Sequence, residues 1–201
     1  MDSLRSSSLR FVPPNVVTCI GMTAGLISIR ESIAGAFVSA AWFIMLSVLL
    51  DKLDGTVARL LKASSRFGME LDSLSDLITF GLAPGVLVLA IMTGAGEAAP
   101  LATGGPLQTL TYVGCFFYVI ASALRLAKFN VLTEDYGKKF FFGLPTTAAG
   151  ALICSYFLTI SKYQLPLVFT QVMPLILLVF GFMMVSRLPL PKLGVREAAW
   201  I

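Results

Sequence analysis

Four aspartates carry the chemistry that this sequence suggests. They lie in Asp51-x-x-Asp54-Gly55-x-x-Ala58-Arg59, followed after eight residues by Gly68-x-x-x-Asp72-x-x-x-Asp76. Their spacing places Asp51, Asp54, Gly55 and Ala58 on one stripe of a helix, and Gly68, Asp72 and Asp76 on one stripe of another. The connection between them is long enough for the helices to return antiparallel, so the four carboxylates can converge. Carboxylates gathered without counter-charge repel one another and protonate. Divalent cations remove that conflict. A set of hard oxygen ligands suits Mg²⁺, Mn²⁺ or Ca²⁺, and carboxylates shared between two such ions form a clamp for phosphoryl displacement. The small residues Gly55, Ala58 and Gly68 leave space for a bulky ligand against the helix backbones.

A blander reading makes these acids solvated boundary charges, paired with Lys52, Arg59, Lys62 and Arg66. It explains less well why the aspartates fall only at stripe positions with glycine and alanine interleaved. It also leaves open why Asp72 and Asp76 lead straight into an apolar run, where acids are functional candidates by default. Other chemistries are subtracted by composition. There is no histidine, which removes histidine triads, histidine-ligated zinc and the usual neutral-pH proton shuttle. Cys19, Cys115 and Cys154 lie singly in apolar runs without metal-ligand spacing, and are expected to be small buried hydrophobes.

The elements that must position the aspartates are membrane helices. Of 201 residues, 57% are hydrophobic and only 13% charged, about half the charge of a soluble domain, so the chain cannot cover a water-facing surface. A soluble enzyme, a disordered chain, a coiled coil and a nucleic-acid-binding domain are excluded. Uncharged stretches at Phe11–Ile29, Ile33–Leu50, Leu77–Gly96, Ala98–Leu124, Phe140–Ser161 and Tyr163–Ser186 predict six spans, the fourth helix starting near Leu107. The expected fold is all-α: one polytopic domain over residues 1–201, with six transmembrane helices and short tails at 1–10 and 187–201. The first span lacks a convincing cleavage site and is expected to be retained. With the N-terminus cytoplasmic, all the basic residues except Arg30 and Lys162 fall on the inner side. Both termini, and the aspartates between spans two and three, are therefore expected at the cytoplasmic face of a cell membrane.

The 51–76 stretch resembles the signature of the CDP-alcohol phosphatidyltransferases, D-x-x-D-G-x-x-A-R-(x)8-G-x-x-x-D-x-x-x-D, at every fixed position. The resemblance implies transfer of a phosphatidyl group from a CDP-diacylglycerol-type lipid to an alcohol, with release of CMP. It further implies that Asp51, Asp54, Asp72 and Asp76 hold two divalent ions, Mg²⁺ or Mn²⁺ with Ca²⁺ an alternative. Gly55, Ala58, Arg59 and Gly68 would form the cytidine pocket or its wall. Asp76 would take the proton from the attacking hydroxyl. A homodimer is also implied.

Further segments are similar to the serine-using branch of that family. They are Pro14-Asn15-Val-Val-Thr18, Ser75-Asp76-Leu-Ile-Thr-Phe-Gly81-Leu-Ala-Pro84, Leu124-Arg125-Leu-Ala-Lys128-Phe129-Asn130-Val131 and Phe142-Gly143-Leu144-Pro145-Thr146. One departure is Thr147, where that branch more often has proline. L-Serine presents a carboxylate, an ammonium and a hydroxyl. Arg125 could bind the carboxylate bidentately, Asn130 could donate and accept, and Lys128 could serve the carboxylate or a phosphate. Glu70 is a candidate for the ammonium. Asn15 and Thr18, one turn apart, could bond the nucleotide or diphosphate, or cap the first helix. Pro84, inside span three, predicts a kink. Two rivals remain: the same chemistry on glycerol phosphate or inositol phosphate, which would want a denser basic pocket, and a cation transporter, which would want repeats and acids near the midplane.

Overall fold

The computed structural model describes residues 12–60, 65–96, 104–136 and 143–186, and every regular element among them is helical. In chain order these are α1 (Val12–Ile33), α2 (Phe37–Leu60), α3 (Arg66–Asp76), a π-helical turn (Leu77–Leu82) and α4 (Ala83–Thr93). Then come α5 (Gly105–Tyr136), α6 (Thr146–Tyr163), the short α7 (Leu167–Gln171) and α8 (Met173–Val185). The expected all-α architecture is present. The fourth expected span begins at Gly105, two residues before the expected Leu107.

Among the described residues, four helical stretches are long and apolar enough to cross a membrane: Pro13–Ile33, Arg66–Thr93, Gly105–Val131 and Leu167–Val185. That is fewer than the six expected. The other two expected spans are helices too, but each carries polar groups that lower its apolarity. The last turns of α2 hold Asp51, Lys52 and Asp54, and α6 interleaves Thr146, Thr147, Ser155, Thr159 and Lys162. Polar side chains in such helices find partners within the bundle. Ser47 Oγ of α2, for example, donates to Gly21 O of α1 at 3.0 Å.

A tight turn joins α1 to α2. Gly35 supplies its left-handed backbone (φ 82°), and Ala34 N–H donates back to Arg30 O at 3.0 Å. A Cβ on Gly96, which follows α4, would stand 2.6 Å from Ala34 O, so the end of α4 packs backbone to backbone on that turn. Both features lie at one end of the bundle. Asp51 and Asp54, towards the end of α2, and Asp72 and Asp76, in α3, are consequently carried to the other end.

The core between them is built from Ala40 and Ile44 of α2, Phe80 of the π-turn, Leu87, Val88 and Met92 of α4, Tyr118 of α5 and Ile153 of α6. Cys115 and Cys154 are buried as expected. Cys19 is exposed, because it lines an open surface groove with Phe67 and Leu71 of α3; that expectation is corrected. On the far side α5 crosses α8 at Gly114, where a Cβ would come within 2.6 Å of Pro174 O. Gly114→Val should therefore destabilise the bundle by about 1–3 kcal/mol, the usual range for overpacking. Thermal unfolding in detergent checks this; an unchanged midpoint would contradict so close a crossing.

Candidate active site at the carboxylate cluster

Three of the four predicted aspartates meet. One carboxylate oxygen each from Asp51, Asp72 and Asp76 lie within 4.8 Å of one another. Asp51 arrives from α2, and Asp72 and Asp76 stack one turn apart on α3, as their spacing requires. Asp54 is turned to one side, where its Oδ2 accepts a 3.0 Å hydrogen bond from the Thr18 hydroxyl. It is nonetheless buried, at 7% exposure, and lines the same small cavity as the other three. That cavity of about 10 Å³ has room for about one water-sized sphere. Its wall is completed by Thr18 and Gly21 of α1, Ser47 of α2, and Ser75, Thr79 and Phe80.

The electrostatics follow from the geometry. All four carboxylates lie close enough to feel one another's charge. Among the described residues Arg125 of α5 interacts electrostatically with Asp76, and the exposed Lys52, beside Asp51 on α2, does so with Asp51. A guanidinium at Asp76 and an exposed ammonium at Asp51 do not offset four carboxylates, so the donor set matches what a hard divalent cation needs: anionic oxygens only, shielded from solvent, on facing helices. These residues could bind a metal ion.

The helix ends explain why the backbone can bring these groups together. Ser65 caps α3, its Oγ accepting from Gly68 N–H at 2.9 Å. A Cβ on Gly68 would stand 3.0 Å from Asn15 Oδ1, so glycine there lets α3 approach α1 closely. Ser75 Oγ donates to Thr18 O at 3.4 Å, a further tie between the same two helices.

The remaining predicted residues divide. Gly55 faces open space, with nothing within 4 Å of a Cβ built there, which suits the wall of a pocket open to a large ligand. Ala58 and Arg59 fall on α2, but their side chains lie outside the described residues. Arg125 Nη1 donates to Thr146 Oγ1 at 2.6 Å, while its Nε is buried without a hydrogen-bond partner among the described residues. Asn130 Nδ2 donates to Ser73 Oγ at 3.0 Å and to Glu70 Oε2 at 3.4 Å, so it pins α5 to α3. Lys128 is exposed.

Against this geometry the comparisons with known proteins are decisive. A family model described as CDP-alcohol phosphatidyltransferase matches residues 11–185. The chain belongs to that family. Among curated relatives, the CDP-diacylglycerol–serine O-phosphatidyltransferase of Helicobacter pylori (strain ATCC 700392 / 26695) is 34% identical over 188 residues. That match covers 93% of this chain and 74% of the relative. The archaetidylserine synthase of Methanothermobacter thermautotrophicus is 34% identical over 184 residues, covering 89% of this chain and 69% of that protein. A CDP-diacylglycerol–serine O-phosphatidyltransferase of Bacillus subtilis (strain 168) is 35% identical over 140 residues, covering 68% and 70%. This family member is an enzyme of the phosphotransferase class and, with four apolar helices among the described residues, an integral membrane protein.

Sequence reasoning did not single out Ser47 and Thr79 as cavity-lining residues. Thr79 was legible in principle, since it continues the Asp72, Asp76 stripe by three residues. Ser47 lies four residues before Asp51 on α2 and could have been found in the same way. Thr18 was expected to bond the nucleotide or diphosphate or to cap the first helix; its hydroxyl lies against Asp54, with Pro14 O a second acceptor at 3.0 Å. Groups that orient metal-ligating carboxylates typically govern affinity by 10–100-fold. Thr18→Val should therefore weaken Mn²⁺ binding by about tenfold or more, measured by titration calorimetry on the purified chain. Unchanged affinity would show that the Thr18–Asp54 bond has no part in the site.

Proposed function

We propose that this enzyme transfers a phosphatidyl-type group from a CDP-linked lipid to the hydroxyl of L-serine, releasing CMP. The observation that carries the proposal is the meeting of Asp51, Asp72 and Asp76 at one end of an apolar helical bundle, in a chain whose family acts on CDP-alcohols. The relatives' names supply serine as the acceptor. The Methanothermobacter relative bears an archaetidyl name, which widens the lipid donors to be tested to isoprenoid ethers.

The proposed ligands are Asp51, Asp54, Asp72 and Asp76, holding two divalent ions, Mg²⁺ or Mn²⁺. Such ions would supply concentrated positive charge against the donor's diphosphate. This chain's residues do the rest. Gly55 leaves its helix backbone open to the nucleotide, and the proposed pocket also draws on Ala58, Arg59 and Gly68 of the signature and on Asn15 and Thr18. The serine oxygen attacks the lipid-side phosphorus, the bond from that phosphorus to the CMP oxygen breaks, and CMP departs as the anion. Asp76 accepts the hydroxyl proton and aligns the oxygen for attack.

Arg125 is the proposed carboxylate clamp for serine. Its guanidinium is fixed on one side by Thr146 and retains a buried Nε–H with no other protein partner among the described residues. Asn130, Lys128 and Glu70 complete the acceptor side in this reading, with Asn130 also setting the distance between α5 and α3. The topology that fits is six spans, α1, α2, the α3–α4 rod, α5, α6 and the α7–α8 pair. Both termini and the aspartates then face the cytoplasm, and a homodimer is the proposed assembly.

The decisive assay gives the purified protein CDP-diacylglycerol and Mn²⁺ or Mg²⁺ and follows CMP with and without serine. CMP release should require serine and should stop with excess chelator. Release unaffected by serine but driven by glycerol phosphate or inositol phosphate would replace the acceptor and keep the chemistry. Asp76→Asn should lower kcat by about 10²–10⁴-fold, the usual range for a general base, and near-normal turnover in that variant would remove its role. Arg125→Ala should raise KM for serine well before it affects KM for the CDP-lipid.

A further inference from the structure

The π-turn at Leu77–Leu82 divides one long helical rod into halves with different duties. Beyond it, Ala83, Leu87, Val88 and Met92 are fully buried in the core, which fixes the rotation of α4 about its axis. Before it, Asp72 and Asp76 must face Asp51 across the cavity. Each residue of an α-helix advances the chain by about 100° around the axis. The extra residue accommodated by a π-turn therefore re-phases one half against the other by about that angle. With α4 locked in the core and the turn regularised, both aspartates would swing away from Asp51.

The sequence contains the cause of the turn. Pro84 has no N–H, so the carbonyl four residues earlier, Phe80 O, loses its α-helical partner, and the proline ring crowds that carbonyl. The next backbone bond spans five residues, from Ala83 N–H to Ile78 O. Among apolar helices no water is at hand to satisfy a freed carbonyl. Tyr118 of α5 does so: its hydroxyl, fully buried, donates to Phe80 O at 2.8 Å. Glycines make room for the widened turn. A Cβ on Gly25 would come within 2.4 Å of Thr79 Cγ2, and one on Gly150 within 3.2 Å of Phe80 Cβ.

We propose that Tyr118 is a positioning residue for the carboxylate centre: its hydroxyl holds the π-turn at Phe80, and the turn aims Asp72 and Asp76 at Asp51. The inference rests on the reading of those aspartates as a divalent-cation site. It accounts for Pro84 as well. The kink expected there is taken up as a change of helical phase that serves the site.

The test measures Mn²⁺ binding by electron paramagnetic resonance on the full chain in detergent, comparing the unaltered protein, Tyr118→Phe and Ser28→Ala. Ser28 Oγ donates to Ala40 O at 2.8 Å, an equally buried interhelical bond towards the opposite end of the bundle. Tyr118→Phe keeps the ring and should weaken Mn²⁺ affinity by about tenfold, the lower end of what displaced supporting groups cause, with an altered bound-ion spectrum. Ser28→Ala should leave both unchanged. Wild-type affinity and spectrum in Tyr118→Phe would overturn the inference, as would equal weakening in both variants. No Mn²⁺ binding by the unaltered protein would overturn the cation-site reading and this inference together. Should Tyr118→Phe fail to fold, Gly25→Ala perturbs the same turn through Thr79. It should lower Mn²⁺ affinity, and adding Thr79→Ser, which removes the clashing methyl, should recover part of it. Unaltered binding in Gly25→Ala would overturn the inference.

Discussion

The mutual repulsion of aspartates held at the end of an apolar bundle is the constraint on which the rest of this structure depends. Three carboxylate oxygens within 4.8 Å of one another are unfavourable unless something positive joins them. The fold does not supply it in full: the Lys52 ammonium that acts on Asp51 is exposed, and Arg125, which acts on Asp76, already has its Nη1 engaged by Thr146. A protein that keeps such a cluster is built to receive charge, and the diphosphate of a CDP-lipid accompanied by divalent cations brings the matching set.

The surrounding architecture can be understood as what holds the acids in place against that repulsion. The turn at Gly35 returns α2 alongside α1, setting Asp51 and Asp54 opposite Thr18. The Ser65 cap starts α3, the close approach at Gly68 seats it on α1, and Asn130 ties it to α5. The π-turn then gives α3 a rotation independent of α4, whose burial in the core is fixed by packing. The contacts at Asp54, Gly68 and Asn130 each join a polar or small residue of one helix to its neighbour, as helices in an apolar solvent require when burial alone cannot drive their association.

Much of this was legible in the sequence because helical periodicity is a local property. The positions of Asp51, Asp72 and Asp76 on their stripes followed from spacing alone, and the structure brings those three together. Asp54 was less legible. Whether a carboxylate turns into a cluster or towards a hydroxyl depends on Thr18, a residue 36 positions away on another helix. Tyr118 carried no signal at all, since a tyrosine in an apolar run reads as packing until the carbonyl freed by Pro84 is found beside it. Composition predicted six spans by counting uncharged stretches. Among the described residues apolarity alone supports four, because α2 and α6 carry polar and charged groups.

The claim that most directly carries this account is that the aspartates hold a divalent cation between α2 and α3. Anomalous X-ray scattering from crystals grown with Mn²⁺ tests it in a single observation. The account predicts a manganese peak within direct coordination distance of carboxylate oxygens from Asp51, Asp72 and Asp76, at about 2.0–2.6 Å for hard oxygen ligands. Manganese bound only elsewhere on the chain, with these three carboxylates free of it, would contradict the account.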